Sequence, residues 1–341
     1  MSLTMHSAPH LAPSNSVPAV MLKVLIALVP AVMAQLYWFG WGVVVQLMLA
    51  SVVALAFEAV LVQARGRAAG PALADLSAVV TAALLVLCIP PLTPCWVTLL
   101  GIGFALTFGK HLYGGLGQNP FNPAMVGYVF LLISFPTEMT AWSPPADQVA
   151  AVPGPLVALA AVFRDLLPDA SSWDALSQAT PLDRAREGLR RALTLSEVAL
   201  DPAYAARDAW RWLAGAYLLG GLFMLQQRII RWQAPAAMLG TLLLLAAIGA
   251  YMDPDRFHGP LFHLVAGASM IGAFFIITDP VTGAASARGR LLFGAGVAAL
   301  TWIIRTWGGY PDGVAFAVLL MNTAVPLIDR YTAPRVYGHE R

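Results

Sequence analysis

In a chain of 341 residues, 59% hydrophobic and 11% charged, there are too few charges to cover a water-soluble fold, which carries roughly 25%. The formal net charge of +2 hides an uneven placement of basic residues, and nothing in the pattern points to nucleic acid. With only Cys88 and Cys95, this chain alone builds neither a disulfide framework nor a four-thiolate iron-sulfur or zinc site; both read as buried structural thiols, and no metal site is expected.

A membrane helix needs about 20 apolar residues, fewer where its flanks snorkel. In chain order the hydropathy pattern predicts spans near 22–39, 41–63, 76–90, 94–109, 120–135, 211–227, 233–252, 260–278, 290–305 and 311–329. The polar, Pro-bearing start followed by two successive apolar runs reads as a retained first span rather than a cleaved signal. The third and fourth spans are short and flanked by Pro90 and Pro91, which allows a re-entrant or broken helix. The predicted fold is an all-α polytopic membrane protein of about ten transmembrane helices.

Lys and Arg in short loops set orientation. Eleven of them, Lys23, Arg65, Arg67, Lys110, Arg228, Arg231, Arg288, Arg290, Arg330, Arg335 and Arg341, fall on one side of this scheme, against Arg256 and Arg305 on the other. Both termini are therefore expected in the cytoplasm. The long connection 136–210 follows an odd number of spans and is expected outside, whatever its arginines, because long loops translocate largely regardless of charge.

That connection divides the chain into 1–135, a tail and first five-helix repeat, the outer loop 136–210, and 211–341, a second five-helix repeat with a short tail. An odd number of spans per half inverts the second half. A faint internal match agrees: Gly114-Gly115 and Phe121 to Leu132 (FNPAMVGYVFLL) parallel Gly308-Gly309 and Asp312 to Leu320 (DGVAFAVLL), and CIPP ending at Pro91 parallels ITDP ending at Pro280. Inverted repeats with broken helices are a transporter-type architecture.

Within the outer loop, Asp174-Ala-Leu-Ser177-Gln178-Ala179-Thr180 runs into Pro181-Leu-Asp183-Arg184-Ala-Arg186. Thr180 followed by Pro at the first helical position and Asp183 three residues on is an ordinary helix N-cap. The same helix start, with free N–H groups and a positive dipole end, also suits a phosphate; an ester on Thr180 would put its anion there, with Arg184 or Arg186 in reach. Ionisable residues within or beside spans are functional candidates by default. Glu58, Asp279 and Asp312 are the candidates for an ion pathway, with interfacial charge or helix cap as the plain alternative. Lys110 and His111 read as cytoplasmic anchors. Gly101 to Lys110 only superficially suggests a phosphate-binding loop, since the spacing is wrong and His111 stands where Ser or Thr is required.

The Asp174 to Thr180 stretch resembles the flavin-attachment motif of a family that includes the D subunit of the Rnf ion-translocating oxidoreductase and the B subunit of the sodium-pumping NADH:quinone reductase. Gly114 to Pro136, Phe274 to Ala284 and Trp307 to Asp329 resemble that family's membrane signatures, so the likeness covers most of residues 75–329. The resemblance implies FMN in covalent phosphoester linkage at Thr180, with Asp174, Ser177, Ala179 and Arg184 around it, attached by a flavin transferase. It leaves open a second, non-covalent flavin between the helices. It implies a bacterial inner-membrane electron-transfer subunit, working with the A, B, C, E and G subunits of the Rnf complex and above all with its extracytoplasmic flavoprotein. That complex would couple ferredoxin and NAD oxidoreduction to Na⁺ or H⁺ movement. Gln178 departs from the usual Gly of the motif. The rival reading is a small-solute channel or transporter on a urea-transporter-like scaffold, for which the outer-loop motif has no use.

Overall fold

A computed structural model of the protein describes residues 16–164, 177–201, 204, 207–310 and 312–333; Asp174 lies outside them. Its regular structure is helical, and the backbone bridge found outside the helices joins Trp142 to Gln178. Helices α1 (Val17–Phe39) and α2 (Gly42–Ala64) are followed by the short α3 (Ala69–Ala74), α4 (Ser77–Val86) and α5 (Cys95–Phe104). A π-helical stretch, Ala105–His111, carries α5 onward to α6 (Pro123–Ser134) and α7 (Pro136–Thr140). The outer connection contributes α8 (Pro155–Arg164), α9 (Pro181–Arg190) and α10 (Leu195–Val198). Then come α11 (Asp208–Gln226), α12 (Gln233–Met252), α13 (Pro260–Val265), α14 (Ser269–Ile271) with the π-helical Gly272–Ile276, α15 (Ala287–Trp307) and α16 (Val314–Thr332).

Among the described residues five helices, α1, α2, α12, α15 and α16, are long and apolar enough to cross a membrane. The remaining expected spans are shorter or composite. The expected span 260–278 is corrected: it is not one helix, since α13 stops at Val265 and the chain is extended at Ala266 before helix resumes at Ser269. The cause is Gly267, at φ +66, whose missing Cβ leaves room for the Asp312 carboxylate and the Arg305 guanidinium. The expected span 76–90 is likewise a ten-residue helix, α4, ending in turns before Pro90 and Pro91.

Helices before and after the connection 136–210 pack on one another. α1 lies along α11, and α6 contacts α16. Within the first half α2 packs on α4 and α5, and α5 on α6; within the second, α12 packs on α13 and α15, and α15 on α16. At Gly220 of α11 a Cβ would collide with the Ala27 carbonyl of α1, so glycine is what permits that approach.

Backbone groups freed by a break inside a membrane must find partners in the protein. After α4, the Leu87 carbonyl accepts from Gln35 Nε2 at 3.1 Å and from Tyr217 Oη at 3.4 Å. The Thr93 carbonyl accepts from Gln46, whose Oε1 accepts from Thr98 Oγ1 at 2.7 Å. At the second break, Arg305 donates to the carbonyls of His263 (3.1 Å) and Ala266 (3.3 Å), and Asp312 accepts from the Ala268 amide at 2.6 Å.

Candidate functional site

Thr180 is the N-cap of α9. Its Oγ1 accepts from the Asp183 amide at 3.3 Å and donates to Asp183 Oδ2 at 2.6 Å, and the Thr180 amide donates to the same carboxylate at 3.3 Å. This reciprocal capping box is what the Thr-Pro-Leu-Asp sequence dictates. Upstream, the Gln178 amide donates to the Trp142 carbonyl at 2.6 Å, which pins the segment to the chain just after α7. Ser177, Gln178, Ala179 and Thr180 are all half-buried.

Beneath Thr180 lies a cavity between the halves. Thr180, Pro181 and Asp183 border it from the loop, Cys88 and Tyr128 from the first half, and Tyr217, Ala268 and Asp312 from the second. Its free volume, about 90 Å³, is room for several waters. Trp142 and Trp210 also line it, with ring centroids 5.2 Å apart and edge-on, and both lean on the fully buried Phe39. Burial holds the Asp183 carboxyl above the usual aspartate range, against the opposing pull of the hydrogen bonds from Thr180.

A second cavity, of about 120 Å³, lies toward the other ends of the same helices. It is lined by Ser77, Lys110, Asn119, Asn122, Thr278 and Asp279, among others. Met125 and Tyr128 of α6 face the first cavity while Asn122 and Ala124 face the second, and Tyr217 and Met224 of α11 divide in the same way. The two cavities therefore sit back to back at the interface of the halves.

The candidate carboxylates separate between these places. Asp312 borders the outer cavity and bonds Arg305 Nη2 at 3.0 Å. Asp279 borders the inner one, accepting from the Val281 amide at 3.0 Å and Thr282 Oγ1 at 3.1 Å. Glu58 faces neither, being held in a buried cluster with Lys110 Nζ at 2.7 Å and His111 Nε2 at 2.9 Å. Lys110 donates also to Ser77 Oγ at 2.8 Å. The reading of Lys110 and His111 as cytoplasmic anchors is thereby corrected: they are 2% and 5% exposed. A buried charge needs a partner, and theirs comes from another helix.

Arg184 turns away from Thr180 toward Asp201, at 3.5 Å, and Arg186 donates to the Gly308 carbonyl at 2.8 Å. Trp142, Trp210, Tyr128 and Tyr217 were not singled out in the sequence. Their one advance signal is position, since Trp and Tyr gather at the ends of membrane spans.

Several helices long and apolar enough to cross a membrane define the class as a polytopic, all-helical membrane protein. The chain matches the model of the NQR2, RnfD, RnfE family over residues 4–338 and belongs to that family. It is 48% identical over 345 residues to the D subunit of the ion-translocating oxidoreductase complex of Salmonella paratyphi A (strain ATCC 9150 / SARB42), covering 98% of each chain. The corresponding D subunits of Escherichia coli O1:K1 / APEC and of Salmonella heidelberg (strain SL476) are similar to the same extent.

Proposed function

We propose that this chain is the D-type electron-transfer subunit of an ion-translocating oxidoreductase complex, and that it carries FMN in phosphoester linkage on Thr180. The observation that carries the reading is the position of the Thr180 hydroxyl, at a helix N-terminus and on the rim of a cavity that descends between the two halves. The residues fit the group: the start of α9 offers a positive dipole end and the Leu182 amide to a phosphate, and the tryptophans and tyrosines below offer apolar faces to a ring system. Bound there, the flavin would supply one- and two-electron chemistry at the outer face, while the protein sets its position and surroundings.

Asp183 orients the Thr180 hydroxyl through the 2.6 Å hydrogen bond and would take its proton as the oxygen displaces the leaving group from the phosphorus of an activated flavin phosphate. A carboxyl held up by burial also protonates readily beside a phosphodiester, which limits like-charge repulsion after attachment. Because the cavity holds only about 90 Å³ of free space, a flavin ring would need the lining side chains to turn outward to enter it.

The pairings of α1 with α11 and α6 with α16 support a ten-segment, inverted five-plus-five arrangement, counting the broken segments after α3 and α12 as spans. In this reading both termini face the cytoplasm of a bacterial inner membrane and residues 136–210 face the periplasm. The inner cavity is then the place for a second, non-covalent flavin, and Asp279 and Asp312 mark the inner and outer ends of an ion route for Na⁺ or H⁺ driven by ferredoxin and NAD chemistry in partner subunits. An extracytoplasmic flavoprotein of the complex exchanges electrons at the outer site. Thr180→Ala tests the reading: flavin fluorescence migrating with the polypeptide on a denaturing gel should vanish while membrane insertion is kept. An equally fluorescent band in that variant would refute it.

A further inference from the structure

Beside α9, away from the Thr180 cavity, a wide cleft of about 560 Å³ opens between α9 with the turn that follows it, the turn after α12 and the C-terminal end of α15. Arg186, Arg190, Arg256 and Arg305 line it, against Asp255 among the acidic side chains there. Arg305 already serves Asp312, so the cleft presents guanidinium charge in excess of the carboxylate that faces it. Its floor carries His263, 5% exposed, and His258; Nδ1 of the first and Nε2 of the second are buried with no hydrogen-bond partner among the described residues. A buried polar nitrogen left unpaired is costly, and where it borders an open, basic cleft it points to a missing polar ligand.

The surroundings say what kind. Trp307, 64% exposed, borders the cleft at the end of α15, and Tyr251 stands exposed at the corresponding end of α12, the level at which aromatic side chains sit in a bilayer interface. On the same two helices, which pack on each other, Leu244, Ile248 and Ile303 are exposed and leave an apolar surface there. A small anion would meet only the arginines, and an acidic peptide would leave that surface to other molecules. A phosphate carrying acyl chains satisfies both, with planar guanidinium forks suited to the phosphate oxygens.

We propose that this cleft binds the phosphate headgroup of an anionic phospholipid of the outer leaflet, its acyl chains lying along α12 and α15. The bound lipid ties the segment that carries Thr180 to the membrane domain, since α9 and α15 both contribute to the cleft. This proposal is independent of flavin attachment. The test uses the purified full-length chain in detergent, with native mass spectrometry after addition of phosphatidylglycerol or phosphatidylcholine. Phosphatidylglycerol should be retained in preference, inorganic phosphate in excess should not displace it, and R190Q/R256Q should weaken retention about tenfold, these two arginines being exposed and outside the Thr180 cavity. Equal retention of the two lipids, displacement by inorganic phosphate, or undiminished retention in the double variant would each overturn the proposal. A photo-crosslinking residue at Leu193, on the cleft wall, supplies a second readout in native membranes. Its adducts should be lipid; adducts with a polypeptide would assign the cleft to a protein partner instead.

Discussion

The two helix breaks answer the same problem with different chemistry. In the first half, the carbonyls freed after α4 are met by neutral side chains, Gln35, Gln46 and Tyr217. In the second, the carbonyls and amide around Gly267 are met by an ion pair, the buried Arg305 with the part-buried Asp312, beside the hydroxyl of Ser269. A neutral amide costs less to bury than a charge, so the first solution is sufficient for structure. The charged solution stands on the rim of the cavity beneath Thr180, where Asp312 faces free space as well as the backbone. The lesson is that the second half carries more chemistry at its break than closing the backbone requires.

The largest effect expected from this contrast is Arg305→Leu, which strips the part-buried Asp312 of its ion-pair partner and leaves the His263 and Ala266 carbonyls to Ser269 alone, at a cost of roughly 3 kcal/mol. Gln46→Leu, at the neutral break, should cost about 1–3 kcal/mol. Unfolding of the purified protein in mixed micelles ranks the two; an Arg305→Leu variant no less stable than Gln46→Leu would break the comparison.

Acid should weaken the second break's outer shoulder by nearly as much. His258 stacks on Phe262, with centroids 3.9 Å apart, and its pKa falls to about 4, through burial first and the Arg207 charge second. The fold accepts only the neutral ring, so the contribution is complete above the ordinary histidine value near 6.5 and is lost as pH falls from there toward 4. This amounts to about 3 kcal/mol. Unfolding followed from pH 7 to pH 4 should show that slope in the native chain and in Gln46→Leu, and a flatter one in His258→Gln. Equal slopes in all three would remove His258 as the cause.

A finer distinction concerns transport rather than stability. In membranes that retain covalent flavin, Asp312→Asn and Asp279→Asn should each lower ion movement several-fold while electron transfer is partly kept. Unchanged transport in both variants would reduce these carboxylates to caps of the turns they already bond.

Much of this was legible in the sequence because it is local. The capping box at Thr180 follows from residues within four positions, and α12 occupies the expected 233–252 because an uninterrupted apolar run sets both ends. Partnerships between distant residues were not legible. Lys110 and His111 read as interfacial because nothing near them in the chain announces Glu58, 52 and 53 positions away. The break after Val265 was hidden in a continuous apolar stretch without proline, where only the backbone conformation of Gly267 gives it away. The aromatic lining of the outer cavity comes from α6, α11 and the loop after α7, and only the packing of the halves brings these together.

The central claim, a flavin held on Thr180 above the interface of the halves, is tested most directly by peptide mass spectrometry. Trypsin cutting after Arg164 and Arg184 releases residues 165–184, which contain both Ser177 and Thr180. Protein purified from its native membrane should yield this peptide heavier by FMN less one water, with fragment ions assigning the addition to Thr180. An unmodified peptide, or an addition on Ser177, would contradict the account.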